Sequence, residues 1–202
     1  MSQRIAFFDF DGTITTKDTL LEFIRFCKGN ARFNLGFLLN SPWLIAMKLK
    51  LISNQKAKER ILTHFFGKQP VAKFKQQCEA FSNEALPSLI RPKALTEFNR
   101  LREAGATIVI VSASPEDWIE HWAAQQGAEL IATRLAIRTD AKGSQRLTGR
   151  IEGANCHGEE KVNRIRQRFA LPEYKEIYAY GDTGGDKPML QLGTASFFKP
   201  FR

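Results

Sequence analysis

The sequence predicts an α/β protein: a doubly wound parallel sheet with an all-helical segment inserted after the first strand. Three observations predict it. "RIAFFDF" (4–10) is a short, almost wholly apolar run, and "ATIVIVSAS" (106–114) is nearly continuous in β-branched residues, as strands covered on both faces require. From residue 88 onward, helix-like and strand-like stretches alternate, which is the pattern of parallel β–α units. Residues 16–86, between these two regions, carry helical runs and no strand alternation.

Taken in order, residues 4–10 read as the first strand. The insertion follows with "KDTLLEFIRFCKG" (17–29), "NQKAKERILTHFFG" (54–67) and "QPVAKFKQQCEAFSNEALPSLI" (69–90), punctuated by Gly29, Pro42 and Gly67. "RPKALTEFNRLREAG" (91–105) is an amphipathic helix with Leu95, Phe98 and Leu101 on one face and Gly105 as its stop. After the second strand come a helix at 115–127, a strand at 128–137 and a hairpin-like excursion at 138–153 around Gly143. A helix at 157–169, a strand at 176–182, a short helix at 186–193 and a last strand at 194–200 complete the chain. Residues 1–15 and 87–202 then form a core domain and residues 16–86 a helical second domain. Trp118 and Trp122, four apart on a helix, read as packing residues.

The composition, 43% hydrophobic and 25% charged, is that of a globular chain. Three cysteines, Cys27, Cys78 and Cys156, are odd in number and far apart, so they read as small packing residues in a reducing, cytoplasmic setting. The opening segment carries acids where the apolar core of a signal peptide would continue. Net charge is +9, and it is unevenly placed: residues 16–86 hold 12 Lys/Arg against 5 Asp/Glu, and the remaining residues 18 against 16. Either an anionic partner of the insertion or a solvated surface accounts for this. The stretch "FNLGFLLNSPWLIAM" (33–47) contains no charged residue, yet it is shorter than the ~20 residues a spanning helix needs. It reads as a buried helix of the insertion or, given its basic flanks, as a surface that dips into an anionic bilayer.

In an open parallel sheet, ligands sit beyond the carboxyl ends of the strands. The first strand ends in Asp9, Asp11, Gly12 and Thr13, and alternation would give Asp9 and Asp11 a shared direction. The second ends in Ser112, Ala113 and Ser114, with Ser114 before Pro115 placed to cap the next helix. The strand at 176–182 leads into Asp182 and Asp186, and Lys161 lies on the preceding helix. Three carboxylates on one rim, Asp9, Asp11 and Asp182, suit Mg²⁺. Ser112 and Lys161 suit the remaining oxygens of a phosphoryl group. A carboxylate can accept that group as an aspartyl-phosphate, and a second, two residues on, can move the proton. The three histidines, His64, His121 and His157, show no spacing that suggests a site.

"DFDGT", Ser112 at a strand end, Lys161 and "GDTGGDKPML" resemble, in order and spacing, the four motifs of the haloacid dehalogenase (HAD) superfamily. The insertion resembles that superfamily's type 1 helical cap, and "LTGRIEGANCHGEEKV" is similar to a segment of the phosphoserine phosphatase-like subgroup. The resemblance implies a Rossmann-like core and a Mg²⁺-dependent phosphomonoesterase. Asp9 would be nucleophile and metal ligand, and Asp11 general acid/base with its carbonyl on the metal. Asp182 would be the third ligand, with Asp186 behind it acting through water or on Lys161. Ser112, Ala113, Lys161 and Gly12 would receive the phosphate. Asp18 stands where that subgroup has a glutamate that meets the substrate's amino group, and it suits a helix N-cap equally well. The basic, Phe/Leu/Trp-rich cap resembles that of HAD-type phosphatidylglycerophosphate phosphatases. A small phosphorylated molecule and a lipid head group are both implied substrates, the latter with peripheral contact at an anionic membrane. A phosphotransferase or mutase on the same scaffold is the alternative, and no nucleic-acid motif is present.

Overall fold

The computed structural model describes residues 3–202; Met1 and Ser2, the start of the expected core, lie outside the described residues. Six strands form one sheet: β1 (Arg4–Phe8), β2 (Thr107–Pro115), β3 (Glu129–Thr139), β4 (Gln145–Glu152), β5 (Glu176–Gly181) and β6 (Ala195–Phe198), in the order β4-β3-β2-β1-β5-β6. All neighbours are parallel except β3 and β4. The expected excursion at 138–153 therefore belongs to the sheet. β3 runs on to Thr139, turns through the positive-φ Gly143 and returns as the antiparallel edge strand β4, so the sheet is mostly rather than wholly parallel. Asp140 holds that turn by accepting hydrogen bonds from the Lys142 and Ser144 amides.

The central strands are apolar throughout because both of their faces are covered. Ile5 and Phe7 pack with Val109, Val111, Ile165 and Met189 on one side, while Ala6 and Phe8 pack with Phe98, Ile108 and Ile110 on the other. Burying each such side chain contributes about 1.5–3 kcal/mol. Four α-helices lie between β1 and β2: α1 (Thr19–Lys48), α2 (Asn54–Phe66), α3 (Val71–Glu84) and α4 (Pro92–Glu103). The buried face of α4 consists of Ala94, Phe98 and Leu101, with Leu95 only half-buried, a shift of one position from the expected face. α5 (Glu120–Gln125), α6 (Glu159–Arg168) and α7 (Lys187–Leu190) follow later. α5 starts late because Glu116–Trp118 makes a 3₁₀ turn after Pro115. Trp118 and Trp122 are buried, and Trp118 stacks on Phe23 at 4.6 Å.

α1 breaks at Gly29, the one residue inside it with positive φ (76°). Pro42 does not break it. Proline cannot donate to the Leu38 carbonyl, and the Ser41 hydroxyl does so instead at 2.8 Å. The second half of α1 packs closely on α2: a Cβ at Gly36 would stand 2.2 Å from the Phe65 ring. The chain leaves and re-enters the sheet side by side, with Thr15 bridged to Ile90 and the Arg91 amide donating to Ile14 at 2.8 Å. The insertion also meets the hairpin. Lys68 and Leu147 are joined at 2.8 Å, and Gly149 of β4 (φ 78°) comes so close to α2 that a Cβ would lie 2.3 Å from the Thr63 Cα. No helix of the described residues is long and apolar enough to cross a membrane.

Candidate active site

A cavity of about 440 Å³ opens beyond the carboxyl ends of β1, β2 and β5, between the sheet and the first turns of α1 and α2. Asp9 follows β1 directly, and its amide still donates to Tyr180 of β5 at 2.9 Å. The chain then turns through Phe10–Ile14, a wide turn closed by the Thr15 amide on the Phe10 carbonyl at 3.0 Å and made possible by Gly12 at φ +82°. A side chain at Gly12 would also collide with the Asp182 carboxylate, 2.5 Å from the added Cβ.

Asp9 is the centre of a buried charge cluster. Its Oδ1 accepts from Lys161 Nζ at 2.6 Å and its Oδ2 from the Thr13 hydroxyl at 3.0 Å. Lys161, almost fully buried on α6, also donates to Asp186 Oδ1 at 2.7 Å. The other oxygen of Asp186 accepts from the Thr183 amide and hydroxyl and from the Asp182 amide, so Asp186 both orients Lys161 and caps the turn after β5. Asp182 Oδ2 accepts from Arg202 at 2.5 Å, while its Oδ1 is buried without a hydrogen-bond partner among the described residues. Asp9, Asp182 and Asp186 each place an oxygen within 4.8 Å of the others.

Burial pushes the Asp9 carboxyl up to about 7, against the pull of Lys161 and with the push of Asp186. Burial works against the charge of Lys161, but Asp9 and Asp186 overcome it and hold the ammonium above its ordinary range. Burial likewise opposes ionisation of Asp186, and Lys161 with the Thr183 donors outweighs it, so Asp186 stays ionised. Burial, then Asp186, raises Asp182. Excess carboxylates, oxygen-only donors, an orphaned buried oxygen on Asp182 and a glycine where a Cβ would intrude together fit a hard divalent cation.

Asp11 does not share the direction of Asp9, because β1 ends at Phe8 and the wide turn replaces strand alternation. One Asp11 oxygen accepts from the amide and hydroxyl of Thr19, both at 2.6 Å, at the start of α1; the other accepts from the Ser114 hydroxyl at 2.6 Å. Ser114 therefore holds Asp11 and does not cap the helix after Pro115, which has no side-chain cap. Ser112 is buried behind the cavity wall, its hydroxyl accepting from the Ser114 amide at 3.0 Å and lying 3.5 Å from Asp11; Ala113 and Ser114 line the cavity. Asp18 stands at the junction of α1 and the cavity. It caps α1 through the Leu21 amide at 3.2 Å and lines the cavity, where burial and then Asp11 raise its carboxyl to about 6.

Lys58 and His157 are among the cavity residues that the sequence did not single out. Lys58, from α2 of the insertion, reaches over to the Ala113 carbonyl at 3.0 Å and to Asn155 at 3.2 Å. His157 lines the wall beside Gly185, and burial, then Lys161 and Lys58, depress its protonation. Lys58 carried a weak signal, since it follows Asn54 by one helical turn on the same α2 face. His157 stands inside the segment similar to the phosphoserine phosphatase-like subgroup, but its own spacing did not mark it.

The Caulobacter vibrioides protein CicA is 37% identical over 196 residues, covering 96% of this chain and 85% of that protein. A probable phosphatase of Mycobacterium tuberculosis is 31% identical over 212 residues, covering all of this chain and 70% of that one. Among solved structures, a Bordetella pertussis protein of unknown function superposes with a TM-score of 0.82 at 24% identity, over 97% of this chain and 89% of that one. A substrate-bound phosphoserine phosphatase superposes at 0.69 with 15% identity, over 98% and 86%. The model of the haloacid dehalogenase-like hydrolases matches residues 6–191, and the chain belongs to that family.

Proposed function

We propose that this hydrolase is a Mg²⁺-dependent phosphomonoesterase that works through a phospho-Asp9 intermediate, with residues 16–86 as the cap over a core of residues 1–15 and 87–202. The observation that carries this reading is the Asp9–Lys161–Asp186 cluster beside the orphaned Asp182 oxygen, at the floor of a cavity on the strand ends. Its phosphatase relative supports the same class.

Asp9 and Asp182 would hold Mg²⁺, with the Asp11 carbonyl beside them and Asp186 behind. Bound there, the ion supplies charge neutralisation for the incoming phosphate. An oxygen of Asp9 attacks phosphorus, the bond from phosphorus to the leaving oxygen breaks, and Asp11 gives that oxygen its proton. Water then attacks the phosphorus, Asp11 takes a proton from it, and the bond from phosphorus to Asp9 breaks, restoring the carboxylate. Lys161 on one side, and Ala113 with Gly12 on the other, receive the non-bridging oxygens, while Ser112 supports that wall from behind through the Ser114 amide. Thr19 and Ser114 keep Asp11 in place, as their short hydrogen bonds to it indicate.

The phosphate is carried by a small metabolite or a lipid head group. Asp18 supports an amine-bearing substrate, and Lys58 supports a further negative charge on it. The test is a phosphatase panel that includes phosphoserine, phosphatidylglycerophosphate and an aryl phosphate, with Asp9→Asn as control. Turnover that survives in Asp9→Asn sinks the nucleophile assignment. Transfer of phosphate to an acceptor, without release to water, sinks the hydrolytic reading.

A further inference from the structure

The second half of α1 is apolar on two faces. Its inner face, with Phe33, Gly36 and Asn40 buried, packs on α2. Its outer face carries Leu35, Leu38, Leu39, Trp43, Ile45 and Leu49, all exposed, with Leu38 at 70% of its full accessibility. These positions follow helical spacing and make one stripe. A helix apolar all round is ordinarily covered on both sides, and the described chain leaves no segment to cover this one.

The charge around the stripe selects its cover. Between Phe23 and Lys58 there are six Lys/Arg and no Asp or Glu. A second copy would set one basic face against another. A spanning insertion is excluded by length and hydropathy. At the edge of the stripe, a cleft of about 460 Å³ is lined by Trp43, Lys56, Arg60 and Arg150. The Arg60 guanidinium lies 5.3 Å from the centre of the Trp43 ring. The acid in the same cleft, Glu59, is held by the Ile151 amide at 3.0 Å and by Gln55. None of the stripe or cleft residues lines the catalytic cavity.

We propose that this face docks on an anionic bilayer: the Leu38/Leu39/Trp43 stripe enters the interface and the Lys56/Arg60/Arg150 cleft takes a lipid phosphate. Apolar side chains of an interfacial helix reach the acyl boundary while basic neighbours pair with head groups. The docking is independent of the hydrolase reading, since it uses no catalytic residue.

The experiment is co-sedimentation of the full chain with vesicles of phosphatidylcholine alone or mixed with phosphatidylglycerol. Trp43 fluorescence is followed at the same time with brominated lipids, the other two tryptophans being buried. The protein should sediment with the anionic vesicles only, release at high salt, and show Trp43 quenching. Leu38→Asp/Leu39→Asp should abolish binding, and Lys56→Gln/Arg60→Gln/Arg150→Gln should weaken it roughly tenfold or more. Both variants should keep wild-type circular dichroism and aryl phosphate turnover. Three results overturn the proposal: no sedimentation with anionic vesicles, equal sedimentation with both kinds, or a lipid-free dimer that Leu38→Asp/Leu39→Asp dissociates.

Discussion

At the scale of single residues, the site is a problem in buried charge. Asp9 has one ammonium neighbour and two nearby carboxylates, and the cluster tolerates this by holding the Asp9 proton up to about 7. A folded-state value raised above the unfolded one means that the native protein binds the extra proton, so stability falls as pH climbs through that range. In metal-free protein, the melting temperature of Asp9→Asn should match wild type below about pH 4, exceed it increasingly toward about pH 7 and hold a steady advantage above that. A constant difference across that range would show that Asp9 titrates normally. In magnesium, the same substitution should cost roughly 10³-fold or more in turnover of an aryl phosphate if, as proposed, Asp9 is the attacking group. The free thiols offer no rival nucleophile: burial pushes Cys156 up to about 11 and Cys27 up to about 12.

At the scale of elements, helix ends do most of the positioning. Thr19, the first residue of α1, places its amide and hydroxyl on Asp11, and Trp118 fixes that hydroxyl from the other side at 3.1 Å. The α1 N-terminus thus stabilises the Asp11 carboxylate, the proposed proton carrier. Asp18 caps the same end, and Asp18→Ala should lower stability by about 1 kcal/mol in denaturant titration. Asp18→Asn should restore that stability while still altering substrate preference if Asp18 also meets the substrate. Most elements were legible from periodicity, because β-branched runs and amphipathic spacing are local signals. The hairpin was half-legible: Gly143 announced its turn, but nothing local says that an antiparallel strand joins the sheet edge. Pro42 misled as punctuation because a serine hydroxyl repairs the missing hydrogen bond.

At the scale of the whole molecule, the insertion is held at several places, among them the paired crossings at Thr15 and Ile90, the contact of α2 with β4 and the Phe23 ring stacked on Trp118. The second needs Gly149, where a positive φ coincides with backbone 2.3 Å from any added Cβ. Gly149→Ala should therefore cost about 1–3 kcal/mol, read as a lower melting temperature, with the sheet's own circular dichroism retained. The proposed cation site is also a whole-molecule property, since Asp9 and Asp182 follow strands far apart in the chain. Mg²⁺ should raise the melting temperature of wild type in proportion to the logarithm of its concentration, and Asp182→Asn should lose most of that rise.

The sequence by itself determined the α/β class, the helical insertion, its excess positive charge and the acidic strand ends, because each is written in neighbouring residues. It also pointed to Asp9, Lys161, Asp182 and Asp186 as one set. Only the tertiary structure decided how they divide the work. It turned Asp11 away from Asp9 onto Thr19 and Ser114, put Ser112 behind the wall, and brought Lys58 and His157 into the cavity. It also decided which face of residues 33–47 is covered and which is bare. Those choices depend on packing between segments distant in the chain, and periodicity within a segment carries no record of what it will meet.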